Sequence, residues 1–375
     1  MKILTISPIY DPKRGLGVSK VIKSVNENLA LRGHQCTVLT INGYSAKNVE
    51  EIINAVEIKR VSSPWAKRLY GISWGLYNYI NTDGTSLLKS VDVVHIHMYH
   101  SLLSLESIYL LRSCGKPIIF TPYYHGTGHT PLKSLLHELY KRPANRMFNN
   151  VDKVICNSDY EAKILREHFA LSHADIGVIP LGIDFQEITS YIKKANSRRK
   201  ISLLFVGRLV EHKGVQYILE AMHHIKENYQ VQPILDIVGS GPYKIQLEKV
   251  ARVRGLEKDL VWSGFVPLEE LWRKYKEADV FLLLSRLESY GLVVAEALAS
   301  GTPSIVADTS ALSEFIGETG CFGVDYPPDP KNLADLILTI HKSDIQVGPF
   351  DPNKIRTWDK VADEYQELYR ESCNR

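Results

Sequence analysis

Five cysteines in 375 residues (Cys36, Cys114, Cys156, Cys321 and Cys373) are few, odd in number and scattered, and none forms a C-x-x-C pair. That spacing excludes zinc-ribbon and dithiol-redox sites and leaves reduced thiols of a cytosolic chain as the simpler expectation. No apolar run approaches the ~18 residues of a membrane span. The strongest, Val280 to Leu284, has the length of a strand. The opening run from Met1 to Pro8 is too short for a signal peptide, so the expected location is cytoplasmic, with at most peripheral contact at the inner face of the membrane. Charge of one sign is also lacking: 45 Lys and Arg stand against 42 Asp and Glu, a net +3 that excludes a general nucleic-acid binder. Neither G-x-G-x-x-G nor a Walker A motif occurs, which argues against dehydrogenases and P-loop NTPases.

What is present is a regular alternation of short apolar runs and amphipathic segments. Lys2 to Ser7 reads as a strand, and Val18, Val21, Ile22, Val25 and Leu29 then fall at helical spacing up to Gly33. Cys36 to Ile41, Val91 to Ile96, Pro117 to Thr121, Val151 to Asn157 and Ile176 to Pro180 read as further strands, with a helix around Ser104 to Ser113. The rhythm restarts with strand Ile201 to Val206, helix Val215 to Lys226 and strand Ile234 to Val238. In both halves a Gly-Val pair (Gly17-Val18 and Gly214-Val215) follows the opening strand. The pattern predicts an α/β chain of two Rossmann-like domains with parallel sheets, residues 1–190 and 198–350, facing a cleft. The basic stretch Ser190 to Lys200 reads as a solvated linker. A last helix within 355–375 carries Trp358, Val361, Tyr365, Leu368 and Tyr369 at helical spacing and is expected to pack back on the first domain.

The most informative segment runs from Ala278 to Ala307. A buried strand should end near Leu284 and a helix begin at Gly291, so the amides of Gly291, Leu292 and Val293 would be free helix-start donors suited to a diphosphate. Glu288 lies in the intervening loop and Glu296 about one and a half turns into the helix, where a carboxylate can accept from ribose hydroxyls. On spacing alone, both glutamates also suit solvated or capping positions. A second cluster, Leu204 to Gly214, places Arg208 and Lys213 five positions apart in the loop after a strand. Two cations there would neutralise a pyrophosphate and stabilise it as a leaving group. Gly239 and Gly241 suit a tight loop after the next strand. His95-x-His97 has two metal-ligand side chains but no third at useful spacing, so alternating core and cleft positions are preferred and no metal is expected.

The E-x7-E element from Glu288 to Glu296, the G-R-x4-K loop from Gly207 to Lys213 and the Gly-Val loop at Gly17 together resemble group 1 (family 4) retaining glycosyltransferases of the GT-B fold. The resemblance runs over nearly the whole chain and is most specific between residues 201 and 325. It implies sugar transfer from a nucleotide diphosphate sugar to a glycan, lipid or small-molecule hydroxyl, with no essential cofactor. It assigns Glu288 to the donor sugar, Glu296 to the ribose, and Arg208, Lys213 and the Gly291, Leu292 and Val293 amides to the diphosphate. Gly17 corresponds to the second glycine of the family's Gly-Gly pair, and His125 to its histidine near the reacting sugar. The first glycine of that pair is replaced by Leu16, with Gly15 one place earlier, and the family's Asn-Gly is here Leu181-Gly182. A nonhydrolysing nucleotide-sugar epimerase, a glycan phosphorylase and a noncatalytic nucleotide-sugar-binding subunit are the competing readings. Two aromatic and basic stretches bear on the acceptor. Pro64 to Ile80 holds Trp65, Lys67, Arg68, Tyr70, Trp74, Tyr77 and Tyr79. Leu132 to Phe148 holds Lys133, Leu135, Leu136, Leu139, Lys141, Arg142 and Arg146. They suit either packed helices or contact with a glycan or anionic lipid.

Overall fold

The computed structural model of the chain describes residues 1–12, 17–42, 47–62, 74–82, 84–127, 131–171, 175–185, 200–343 and 345–374. The chain divides into two units, Met1–Gly182 with Trp358–Arg375, and Ile183–Thr357. Both are α/β, each built on a sheet dominated by parallel strands.

In the first unit the strands are β1 (Lys2–Ser7), β2 (Gln35–Asn42), β3 (Val49–Ile53), β4 (Val56–Ser62), β5 (Val93–His97), β6 (Ile118–Thr121), β7 (Lys153–Cys156) and β8 (Asp175–Val178). They lie in the order β3-β4-β2-β1-β5-β6-β7-β8. The pairings from β4 to β8 are parallel. Central strands such as β5 and β6 are buried along their full length, as a sheet covered on both faces requires. The edge departs from the parallel sheet that the rhythm predicts, because β3 runs antiparallel to β4. Asn54 and Ala55 join them with φ of 49° and 64°, the left-handed backbone that a two-residue hairpin turn demands.

The helix Val18–Leu31 buries Val21, Ile22, Val25 and Leu29, one stripe of its surface. The last helix, Trp358–Cys373, belongs to this unit and packs along Val18–Leu31. It buries Trp358, Val361, Tyr365, Leu368 and Tyr369, and each large side chain removed from water contributes about 2 kcal/mol. Polar contacts set its register: Arg32 bonds Asp363 at 3.0 Å, and the Tyr369 hydroxyl lies 2.7 Å from Nδ1 of buried His95.

After a two-residue strand, β9 (Gly182–Ile183), the second unit contains β10 (Lys200–Val206), β11 (Gln232–Val238), β12 (Leu260–Gly264), β13 (Val280–Leu283), β14 (Ser304–Ala307) and β15 (Cys321–Val324). The six run parallel in the order β12-β11-β10-β13-β14-β15. Chain order and spatial order reverse at β10, so the loops after β10 and β13 leave the same edge side by side. In open α/β sheets that reversal is where ligands bind.

The loops at this edge are laced by backbone bonds: Gly207 N donates to Val238 O at 2.9 Å, and Leu209 N to Ser240 O at 3.0 Å. A Cβ on Gly239 would stand 2.0 Å from Gly207 O, and one on Gly241 would stand 2.1 Å from Leu209 O. Both glycines are therefore explained by close backbone approach. Gly241→Ala should cost about 2–3 kcal/mol, because a backbone carbonyl must move to admit the methyl. Urea unfolding measures this, and a change within about 0.5 kcal/mol would contradict the close approach.

Candidate active site

The loop after β10 passes through Gly207 and Arg208 into a 3-10 turn, Glu211–Lys213, and then into the helix Val215–Asn228. Gly214 ends the turn in the left-handed region, where a Cβ would lie 2.1 Å from Leu284 O at the end of β13. This contact presses the Lys213 turn against the loop that carries Glu288. Arg286 N also donates to His212 O at 2.8 Å. The Lys213 ammonium and the Glu288 carboxylate form a close ion pair, with side chains only 19% and 15% exposed.

Glu288 is held by its backbone. Its N–H donates to Ser310 Oγ at 3.2 Å, and its carbonyl accepts from Ala311 N at 3.4 Å. Ser310 is buried and has φ 56°, an uncommon conformation for a residue with a side chain. Further along the same loop, the Tyr290 hydroxyl donates to Lys354 O at 2.6 Å and its ring packs edge-on to Phe315. Gly291, φ 117°, caps the helix Leu292–Ala299 without a side-chain bond. The first intrahelical donors are Val294 and Ala295, both to Gly291 O. The Gly291, Leu292 and Val293 amides thus precede the helix ladder at its electropositive end.

Glu296 lies deeper, 3% exposed, and accepts from the Tyr275 hydroxyl at 3.0 Å. Burial, and then the Glu296 charge, push the Tyr275 phenol well above its ordinary range, so it remains a donor. Arg208 is exposed on the β10 loop, and among the described residues no ion pair of its side chain is found. Arg208, Lys213, Glu288, Glu296 and the three amides therefore belong to one unit and one sheet edge.

Gly17 and His125 belong to the other unit. Gly17, φ 54°, caps the helix Val18–Leu31 after β1. His125 follows β6 and stacks on the His100 ring at 4.7 Å between centroids, with 22° between planes. The β5 and β6 ends carry positive φ at Met98 (76°) and Tyr123 (52°). The next residue, Tyr124, donates its amide to the buried carboxylate of Glu161, which also accepts from Asn157 N at 2.7 Å. His95 and His97 are enclosed, and desolvation drives His95 well below its usual range and His97 down to about 3. Both His95 ring nitrogens are engaged, by Tyr369 and by Thr121 Oγ1 at 2.8 Å. Among the described residues, no group of three or more His, Cys, Asp or Glu is placed to hold a metal ion. Nor, among them, is any helix long and apolar enough to cross a membrane.

Gly15, Leu16, Trp65, Lys67, Arg68, Tyr70 and the 190–199 basic stretch lie outside the described residues, as do the side chains of Trp74, Lys133 and Leu136. Sequence reasoning missed Ser310, Tyr275 and Glu161. Ser310 and Tyr275 carry no motif of their own. Glu161 left one signal, the S-x-x-E capping box from Ser158.

Comparison with known proteins identifies the family and the fold. The second unit matches the model of glycosyl transferases group 1 over residues 187–353, and the first matches glycosyltransferase family 4 over residues 16–187. An uncharacterised glycosyltransferase of Methanocaldococcus jannaschii is 27% identical, covering 99% of this chain and 98% of its own. Sucrose-phosphate synthase from Thermosynechococcus elongatus superposes with a TM-score of 0.78 at 21% identity, over 99% of this chain and 98% of that one. HepE of Anabaena, solved in complex with UDP and glucose, superposes at 0.68 and 16% identity, over 99% and 95% of the two chains. The fold is GT-B, two Rossmann-like α/β domains, and its class is that of the sugar-transferring enzymes. The chain belongs to the group 1, family 4 glycosyltransferases.

Ser310→Ala removes the acceptor from the Glu288 amide and leaves a methyl at positive φ, whereas Ser310→Gly removes the same acceptor and relieves the backbone. Thermal unfolding should rank glycine above alanine by about 1 kcal/mol. Transfer kcat/KM should fall about tenfold in both, as expected for a loosened Glu288. Undiminished transfer in both variants would show that the serine clamp does not matter.

Proposed function

We propose that this glycosyltransferase moves a sugar from a nucleotide diphosphate sugar to a hydroxyl of a glycan, lipid or small molecule, with retention of anomeric configuration. The observation that carries the reading is the meeting of Lys213 and Glu288 beside the uncapped start of the Leu292–Ala299 helix. A dianionic diphosphate needs positive charge and directed N–H groups. Lys213, Arg208 and the amides of Gly291, Leu292 and Val293 are groups of this edge with that chemistry. They stabilise the diphosphate most as the bond from the sugar anomeric carbon to its oxygen breaks and negative charge gathers there. Glu288 accepts from hydroxyls of the donor sugar, and Glu296, oriented by Tyr275, faces the ribose. For the first unit, the family resemblance assigns Gly17 to the phosphates and His125 to the reacting sugar. The acceptor oxygen attacks on the face the diphosphate leaves, and a departing phosphate oxygen takes its proton, so no separate protein base is required. HepE, a structural relative, is solved with UDP and glucose, which makes a uridine donor the first to test.

Contact with an anionic membrane surface extends the same reading to a lipid acceptor. On the helix Pro131–Phe148, Leu135 and Leu139 are 63% and 69% exposed, and Arg142 and Arg146 are exposed on the same stripe. Two apolar side chains followed by two guanidiniums match the boundary between acyl chains and anionic head groups.

A thermal-shift panel of UDP, GDP and ADP sugars should raise the midpoint for one base, by about 2.7 kcal/mol of stability at a hundredfold excess over Kd. Glu288→Ala and Lys213→Ala should each lower transfer by at least about 100-fold with the fold intact by circular dichroism. Full activity in both would sink the site assignment. Flotation at low salt with vesicles containing anionic lipid should carry the protein upward, less so for Leu139→Glu; absence of binding would remove the membrane extension.

A further inference from the structure

We infer that the Lys213–Glu288 pair makes the site discriminate between the sugar-loaded donor and the spent nucleoside diphosphate, weakening the latter so that it leaves. This rests on the donor-site reading above and adds a second role for Glu288.

The argument starts from the shared partner. Lys213 is the cation proposed for the diphosphate, and in the structure its ammonium is bonded to Glu288. Both side chains are mostly enclosed, so water and salt screen the pair less than they would a surface pair. A diphosphate that claims Lys213 must take it from a carboxylate, and it leaves that carboxylate beside further negative charge.

Glu288 has little freedom to withdraw. Its N–H and C=O are pinned by Ser310 and Ala311, Leu287 O accepts from Ser285 Oγ at 3.2 Å, and Tyr290 is tied to Lys354. The Gly214 contact with Leu284 keeps the Lys213 turn against the same loop. The two loops therefore stay together, and each side chain stays within reach of the other. With a sugar attached, its hydroxyls donate to the Glu288 carboxylate and replace the bonds it gave up. With the nucleoside diphosphate alone nothing replaces them, and Glu288 competes for Lys213. Loss of the sugar on transfer thus converts Glu288 from a ligand of the donor into a rival of the product.

The test is calorimetric binding of UDP, GDP, ADP and inorganic pyrophosphate to the wild-type chain, to Glu288→Gln and to Glu211→Gln. Glutamine keeps the shape of residue 288 and one acceptor oxygen for a sugar hydroxyl but gives up the charge that binds Lys213. Glu211 lies two residues from Lys213 and makes no ion pair with it among the described residues, so its neutralisation controls for the general field. Glu288→Gln should tighten the nucleoside diphosphate that binds best by about tenfold, about 1.4 kcal/mol, while slowing transfer. Glu211→Gln should change that affinity less than about twofold. A Glu288 that only contacts sugar would leave sugar-free binding unchanged, and this result overturns the inference, as does an equal gain in both variants. Absence of binding of all four probes to the wild-type and Glu288→Gln chains overturns it together with the donor-site reading. Transfer activity separates the two failures: no transfer from any nucleotide sugar defeats the reading, whereas transfer with unchanged UDP affinity in Glu288→Gln defeats the discriminator alone. Thermal unfolding of the free variants checks that Glu288→Gln remains folded.

Discussion

An ion pair, Lys213 to Glu288, joins two loops of the second unit, and its formation depends on sheet order. Seventy-five positions separate the two residues in the chain. They meet because β10 and β13 are hydrogen-bonded neighbours running the same way, with Leu203 beside Val280 and Leu204 beside Phe281. Parallel neighbours deliver their carboxyl ends to one edge, so the loops after them emerge together. The glycines of this edge follow from the same constraint. Gly214, Gly239 and Gly241 are positions where loops from adjacent strands cross at distances that no Cβ tolerates.

How much of this was legible in the sequence depends on how local the cause is. Strand and helix periodicity is local, and it was readable: Val280 to Leu284 against Val280–Leu283, Val215 to Lys226 against Val215–Asn228. The hairpin β3–β4 was not readable, because its turn is Asn54-Ala55, without the glycine that signals two left-handed residues. The motifs around Arg208, Lys213, Glu288 and Glu296 were visible as residue types at fixed spacing. Their partners were not. Tyr275 lies on the amphipathic helix Leu268–Glu277, where its aromatic ring reads as ordinary core, and only the packing of that helix on Leu292–Ala299 brings its hydroxyl to Glu296. Ser310 gives even less warning, since serine has no preference for the conformation it adopts there.

In the first unit, buried polar side chains fix positions that periodicity leaves open. His95 is held neutral by desolvation and ties the last helix to the sheet through Tyr369 while bonding Thr121 on the neighbouring strand. Glu161 satisfies the start of its own helix and takes the Tyr124 amide, so the loop that presents His125 is anchored one residue away. Left unpaired, either group would lose its desolvation energy; in place, each fixes one geometry of the backbone around it.

The two glutamates of the second unit show the same physics divided between two tasks. A carboxylate withdrawn from water must be compensated by a charge or by donors. Glu296 has Tyr275, a phenol that burial keeps protonated. That bond is buried within one unit, which fits a residue whose task is to hold an orientation. Glu288 is compensated by Lys213, a mobile point charge on a long stem that an incoming anion can also claim. Ser310 adds a cost of about 1–2 kcal/mol of left-handed backbone while its hydroxyl holds the Glu288 amide. Strain retained at a position that could carry glycine without penalty is better explained by the bond its hydroxyl accepts than by the turn itself. The fixed glutamate and the contested one are therefore different instruments, although nine residues of a single strand-loop-helix element, Glu288 to Glu296, carry them both.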